Sequence, residues 1–375
     1  MKKIDTLEIL KKLISIDSSN SKSNKQIINF IKRLFKNRAE IIEQKYKKDK
    51  LDLYNLIIKI KGKSDKNPLI FAGHTDTVNP SNAWNRNPFK PVIEGDKLYG
   101  LGTSDMKAGL ASMIVAGLES KKPKRDIYLV FDADEEDSGT GGKKVLEIMD
   151  TFNIKDAEII IPEPSTGNIT IGQKACFALK IETSGKAAHG SKTTYKNNMK
   201  NSAIYKAHKI MTELMKLEKS LDKKKPDNLY GYSTQNIGQI QGGQNVNSVA
   251  DFCMFTIDRR LLPKEDVQKE IQKAKKLIQK TVPDAKISVQ FSGESFSAKQ
   301  SDKLVKKIAN LAHKAFAKKK FEVSYGWNEA AIFSKYGKVV IFGPGIHEQC
   351  HQPDEYTSID LLEKYTDIYK KIMQF

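Results

Sequence analysis

Cysteine is scarce in this chain: Cys176, Cys253 and Cys350 are the only three among 375 residues, they are widely spaced, and no CxxC pair occurs. An odd, scattered set builds neither a disulfide framework nor a thiolate zinc knuckle, and a reducing compartment is the expectation. Long hydrophobic runs are also missing. The longest mainly apolar stretch, Gly109 to Leu118, is about half of the ~20 residues a membrane span requires. The opening MKKIDTLEIL carries acidic residues where a signal peptide would be apolar. Neither secretion nor membrane insertion is expected, and the cytoplasm is the predicted location. Internal repeats and low-complexity linkers are absent as well.

Acidic residues are the minority charge. Against 64 Lys and Arg stand 45 Asp and Glu, a formal net charge of +19, which raises the question of nucleic acid or an acidic partner. The basic runs Lys121 to Lys124, Lys223 to Lys225 and Lys318 to Lys320 lack the interleaved aromatics of a nucleic-acid surface and read as solvated faces. No nucleic-acid partner is predicted. With 39% hydrophobic residues the chain can bury a sizeable core, and its length suits two or three domains.

The first third alternates helical and extended patterns. Thr6 to Ile16 and Lys25 to Phe35 carry apolar residues at helical spacing, Asn55 to Ile60 and Leu69 to Ala72 read as strands, and Ala108 to Leu118 reads as a helix. The short apolar runs Ile127 to Phe131 and Glu158 to Ile161 suit strands covered on both faces. This rhythm predicts an α/β domain with a mostly parallel sheet. From Cys176 the order becomes strand, helix (Asn198 to Leu221), strand, strand, helix (Lys264 to Thr281), strand, the ferredoxin-like βαββαβ plan. A helix at Ser301 to Phe316, a strand at Lys338 to Phe342 and a helix at Asp360 to Met373 resume the first pattern. The expected organisation is a domain of residues 1–176 and 294–375 that carries an insertion of residues 177–293.

Ligands of open α/β sheets bind beyond the carboxyl ends of the strands, and four candidate strands here run into metal-binding residue types. One leads to His74-Thr75-Asp76, one to the acidic run Asp132 to Asp137, one to Glu163, and one through Gly343-Pro344-Gly345 to His351; Asp105 follows a Gly-rich turn before a helix. Imidazole and carboxylate without thiolate suit a divalent ion such as zinc, cobalt or manganese. Five such residues exceed the three protein ligands of one catalytic zinc and serve two ions if one carboxylate bridges, with the ions about 3.5–4 Å apart. The adjacent Glu135 and Glu136 offer one ligand and one general base.

Taken in order, FAGHTDTV (71–78), YGLGTSDMKAG (99–109), DADEEDSGTGG (132–142), PEPST (162–166), SGKAAHGS (184–191) and GPG followed by HQPDEY (351–356) resemble the M20 metallopeptidase and deacylase family over essentially the whole chain. The resemblance implies a two-metal amidohydrolase. It makes His74 and Glu163 ligands of one ion, Glu136 and His351 ligands of the other, Asp105 the bridging carboxylate and Glu135 the general base. Asp76 would hydrogen-bond the second ring nitrogen of His74. His189 would stabilise the oxyanion at the partner subunit's site, Arg260 would grip a substrate carboxylate, and Asn247 would lie close to the substrate. The insertion becomes a lid and homodimerisation domain.

PEPST, NEAAIF (328–333) and HQPDEY resemble the acetylornithine deacetylase branch and its desuccinylase relatives. Ala330 and Ala331 stand where desuccinylases carry Gly-Arg, which disfavours a succinyl substrate. The expected substrate is a small N-acyl amino acid, with a di- or aminopeptidase activity as the alternative within the family. A carrier-linked lysine or ornithine substrate, presented by an acidic carrier protein, is a further variant suggested by the positive charge. His208, His313 and His347 read as surface or core histidines, and Cys350 as a small filler beside His351.

Overall fold

A computed structural model describes residues 4–223 and 225–375. The first three residues of the opening stretch, and Lys224 in one of the lysine runs, lie outside the described residues. The chain divides into two compact units. The first comprises Met1–Gly172, Ser297–Glu322 and Asn328–Phe375, and the second Gln173–Phe296 with Val323–Trp327. Among the described residues no helix is long and apolar enough to cross a membrane.

The first unit is built on a mixed sheet whose spatial order is Glu40–Lys48, Leu51–Ile60, Ile127–Asp132, Leu69–His74, Ala157–Pro164, Gly337–Gly343, Ile169–Gln173. The four strands from Ile127–Asp132 to Gly337–Gly343 run parallel, and the flanking pairs are antiparallel. Parallel neighbours need crossover connections that cover both faces. Accordingly every residue of Leu69–His74 and of Ile127–Asp132 is buried. The helix Lys107–Glu119, rich in Ala, Gly and Leu, lies on the path between those two strands and buries all but its last residue.

Several elements differ from the sequence-based expectation. The strand Glu40–Lys48 pairs with Leu51–Ile60 through a two-residue turn, Lys48 opposite Leu51. Its lysines and glutamates mark an exposed edge rather than a core pattern. The helix Thr140–Met149 opens on Thr140-Gly141-Gly142, a sequence that reads as loop by composition. The helix expected over Asn198 to Leu221 is two, Tyr195–Asn201 and Ala203–Leu221. Ser202 separates them with extended φ and ψ of −85° and 124° and caps the second helix.

The second unit has an antiparallel sheet in the order Thr234–Gly242, Phe252–Leu261, Ala175–Ser184, Lys286–Gly293, which places the first strand between the third and the fourth. Its own core joins Phe177, Leu179 and Phe255 of the sheet with Ile210 and Leu214 of one helix and Ile271 and Ile278 of another. The return segment is anchored within this unit, where the Lys174 N–H donates to the Ser324 carbonyl at 3.2 Å and Phe291 meets Trp327 edge-on at 4.9 Å.

Close packing beside the strand that carries Glu163 leaves no room for a side chain at Gly109. A Cβ added at Gly109, on the central helix, would stand 2.2 Å from the Pro162 carbonyl oxygen, and backbone cannot yield there as a side chain would. Replacing Gly109 by Ala should cost about 1–3 kcal/mol through overpacking and lower Tm by roughly 3–10 °C in a unit of this size. Differential scanning calorimetry of the variant checks this, and an unchanged Tm would contradict the packing described.

Candidate metal centre

The carboxyl ends of the parallel strands converge on one cluster. His74 ends the strand Leu69–His74 directly beside Asp132 of its neighbour and is 1% exposed. Its Nδ1 lies 3.0 Å from the Asp76 carbonyl oxygen. A carbonyl only accepts, so Nδ1 carries a proton, and Nε2 is the nitrogen turned to the carboxylates. It lies 3.2 Å from Asp105 Oδ1 and 3.4 Å from Glu163 Oε1; burial opposes a charge on His74, but these acids raise its pKa in the metal-free chain. On the opposite side of Asp105, Oδ2 lies 3.4 Å from His351 Nε2, and the same nitrogen lies 3.0 Å from Glu136 Oε2. One carboxylate therefore stands between two histidines, and each histidine has its own glutamate.

His351 reaches this position with φ of 62°, a left-handed conformation that costs a residue with a Cβ roughly 1–2 kcal/mol. Asp76 does not hold His74 as expected. Its Oδ1 lies 3.8 Å from Nδ1, beyond hydrogen-bond reach, because the ring is already bonded to the carbonyl of the same residue. The Asp76 carboxylate instead accepts the backbone N–H groups of Glu135 at 3.3 Å and Glu136 at 3.2 Å. It thus fixes the acidic turn itself. Asp134 and Asp137 of that turn ion-pair with Lys48, which leaves Glu135 and Glu136 as the pair aimed inward.

Among the described residues, two groups of side chains bring their ligand atoms within 4.8 Å of one another: His74, Asp105 and Glu136, and Glu135, Glu163 and Glu329. Glu329 was not singled out in the sequence. It lies in NEAAIF, is 1% exposed, and neither carboxylate oxygen has a hydrogen-bond partner. Both oxygens of fully buried Asp132, and Oε1 of Glu136, are likewise unpartnered. The only sequence signal at Glu329 is a single carboxylate just before a short apolar stretch.

The electrostatics follow from this crowding. Burial, and then repulsion by Glu329, Glu163 and Glu136, pushes the Glu135 carboxyl well above the usual range. Burial and the Asp105 charge hold Glu163 up at about 7, and burial with neighbouring acids holds Asp132 at about 7. Asp105 moves the other way: burial opposes its charge, but hydrogen bonds from His351 and His74 outweigh it and lower its pKa. Hydrogen bonds to Asp105 and Glu136 raise His351 to about 10. The Cys350 thiol is pushed up by burial and by the Asp105 charge and stays protonated, so it supplies no thiolate.

Buried carboxylates without partners, arranged around two imidazole nitrogens, are short of positive charge. The donor set, nitrogen and oxygen without sulfur, fits divalent ions of the zinc, cobalt and manganese type. His74, Asp105, Glu136, Glu163 and His351 are close enough together that they could hold such ions.

The remaining expected residues, His189, Asn247 and Arg260, belong to the second unit. There the two segments SGKAAHGS and QNVNSVAD form a short ladder: Val249 N–H donates to Ala188 O at 2.8 Å and Gly190 N–H to Asn247 O at 2.7 Å. His189 and Asn247 are both exposed, and His189 Nδ1 lies 2.8 Å from Ser191 Oγ. Strand alternation separates the two arginines. Arg259 is 1% exposed and faces Glu270 at 3.6 Å, whereas Arg260 is part-exposed and its Nε donates to Asp258 at 2.8 Å.

The fold is shared with peptidases of known structure. A M20 family metallo-carboxypeptidase from Sulfolobus solfataricus matches it with a TM-score of 0.81 at 17% identity, over 99% of each chain. A dinuclear metal-binding peptidase from Bacillus subtilis matches with a TM-score of 0.70 at 15% identity, over 98% of each. Residues 70–374 match the model of peptidase family M20/M25/M40, and the chain belongs to that family. Among curated proteins, an acetylornithine deacetylase from Buchnera aphidicola subsp. Schizaphis graminum is 28% identical, over 99% of this chain and 97% of that protein.

The crowding of acids sets a pH dependence for the metal-free chain. Glu163 and Asp132, held at about 7, keep protons when folded that the unfolded chain releases near pH 4. Folded protein binds more protons in that window, so stability falls as pH rises from about 4 to 7. His351, raised to about 10, extends the same slope above its unfolded value near 6.5. Thermal unfolding of metal-stripped protein between about pH 4.5 and 8 should show Tm declining, with added zinc restoring it most at the upper end. A metal-free Tm that climbs with pH would contradict this assignment of charge.

Proposed function

We propose that this protein is a two-metal amidohydrolase that removes an N-acyl group from a small amino acid bearing a free carboxylate, in the manner of acetylornithine deacetylase. The observation that carries the reading is the Asp105 carboxylate, which presents one oxygen to His74 and the other to His351, each histidine flanked by a glutamate. In this reading His74, Asp105 and Glu163 hold one divalent ion, and His351, Asp105 and Glu136 the other. Zinc, cobalt and manganese all suit the donors. The relatives named acetylornithine deacetylase, similar over nearly the whole chain, support the choice of substrate class.

When bound, such a pair of ions activates a water and polarises the scissile carbonyl. The chain's own residues do the rest. Glu135 takes the proton from the water and delivers it to the leaving amine, a shuttle suited to a carboxyl whose pKa is raised by burial and by Glu329, Glu163 and Glu136. Asp76 positions Glu135 through the backbone rather than touching the reacting atoms. His189 is assigned to the oxyanion, Arg260 to the substrate carboxylate and Asn247 to substrate contact, in a cytoplasmic homodimer joined through the second unit.

The direct test supplies zinc, cobalt or manganese to metal-depleted protein and measures hydrolysis of N-acetyl, N-succinyl and γ-glutamyl amino acids and of dipeptides. N-acetyl amino acids should be cleaved only with metal restored. Glu135→Gln should lower kcat at least 10²-fold while two ions per chain stay bound; metal-independent hydrolysis would defeat the reading. The net charge of +19 favours one variant, an acyl amino acid presented on an acidic carrier protein. Carrier-linked hydrolysis should then slow far more steeply with salt than hydrolysis of the small substrate, and equal salt dependence would reject the carrier.

A further inference from the structure

We infer that Glu355 is a positioning residue of the metal centre, whose carboxylate fixes the place of Asp105 between His74 and His351. The inference rests on the two-metal reading above. Glu355 is 1% exposed. Its Oε2 accepts the Gly102 N–H at 2.8 Å, and its Oε1 accepts the N–H groups of Ser104 at 2.6 Å and Asp105 at 3.0 Å. The Gly-rich turn from Gly100 to Asp105 thus aims its backbone donors at one point, and a side-chain carboxyl of the protein itself supplies the acceptors there. Gly102 has φ of 80°, the left-handed geometry that lets the turn fold its N–H groups inward.

The same contact also places His351. Glu355 follows His351 by four residues, and its backbone carbonyl accepts the Gly100 N–H at 2.9 Å. One residue therefore ties the segment that carries one ligand to the turn that carries the bridging ligand. Ser104 provides a second tie between the same stretches: its Oγ donates to the Tyr356 carbonyl at 2.9 Å and accepts the Ile346 N–H at 3.0 Å. The two ties differ in what they hold. Glu355 bonds the peptide N–H of Asp105 itself, while Ser104 Oγ only joins neighbouring backbone.

Glu355→Gln keeps the volume but turns an amide NH2 toward at least one backbone donor, and Glu355→Asp withdraws the carboxylate by one methylene. The test is titration of the metal-free full-length chain with cobalt, read by visible absorption for stoichiometry, affinity and ligand geometry. Spin coupling between the ions is read by electron paramagnetic resonance, which reports the bridge and is blind to a general loss of stability. Wild type should bind two ions. Both variants should weaken the second ion by roughly 10–100-fold, the usual effect of removing the partner of a metal ligand, with altered absorption bands and reduced coupling. Ser104→Ala should leave affinity within about threefold.

Wild-type affinity, bands and coupling in whichever of the two Glu355 variants folds would overturn the inference and leave Glu355 as a loop anchor. Equal weakening by Ser104→Ala would overturn it too, because docking of the segments would then be the cause. Failure of wild type to bind a second ion would overturn the two-metal reading and this inference together.

Discussion

Asp105 has to satisfy two histidines at once, and the architecture around it is explained by that demand. A largely buried carboxylate shared between two imidazoles, with a further glutamate behind each, concentrates negative charge where solvent screens it weakly. Such a cluster folds only if cations enter it or protons stay on it. The pKa directions show the second solution in the metal-free chain, with Glu135, Glu136, Glu163 and Glu329 all raised. The five nitrogen and oxygen donors describe the first.

The fold supplies the convergence. Parallel strands end on the same edge of a sheet, so His74, Asp132 and Glu163 arrive together merely because their strands pair in register. What the sheet cannot supply is the exact posture of the loops, and backbone hydrogen bonds to buried carboxylates do that. Asp76 collects the N–H groups of Glu135 and Glu136, and Glu355 collects those of Gly102, Ser104 and Asp105. The acids of this centre therefore divide into those free to meet a cation or substrate and those spent on holding the first group in place.

The parallel centre of the sheet and its strand-end acids were legible because continuous apolar runs followed by His, Asp or Glu are local features. The Glu40–Lys48 strand was not, since an edge strand facing water needs no hydrophobic alternation. Nor was the helix at Thr140–Met149, whose glycines serve packing: a Cβ on Gly141 would lie 1.7 Å from the Ala133 carbonyl oxygen. At the site, motif order brought forward the five donors and Glu135. It could not show that the His74 ring would take the Asp76 carbonyl rather than its carboxylate, a choice between atoms of one residue settled by tertiary packing. Glu329 stayed hidden for a related reason, because one glutamate beside a four-residue helix gives no local sign that it turns inward. Asp354 and Glu355 make the same point, adjacent acids of which the first is part-exposed and bonds Asn85 and Arg86 and the second is buried.

In the proposed reading Asp105 bridges two ions, each completed by one histidine and one glutamate. Anomalous diffraction from crystals of the zinc-loaded protein, collected on both sides of the zinc edge, tests it most directly. Two peaks about 3.5–4 Å apart are expected, one against His74 and Glu163, the other against His351 and Glu136, with one oxygen of Asp105 on each. A single ion bound by one histidine, with the other imidazole left on a protonated carboxyl, would contradict it.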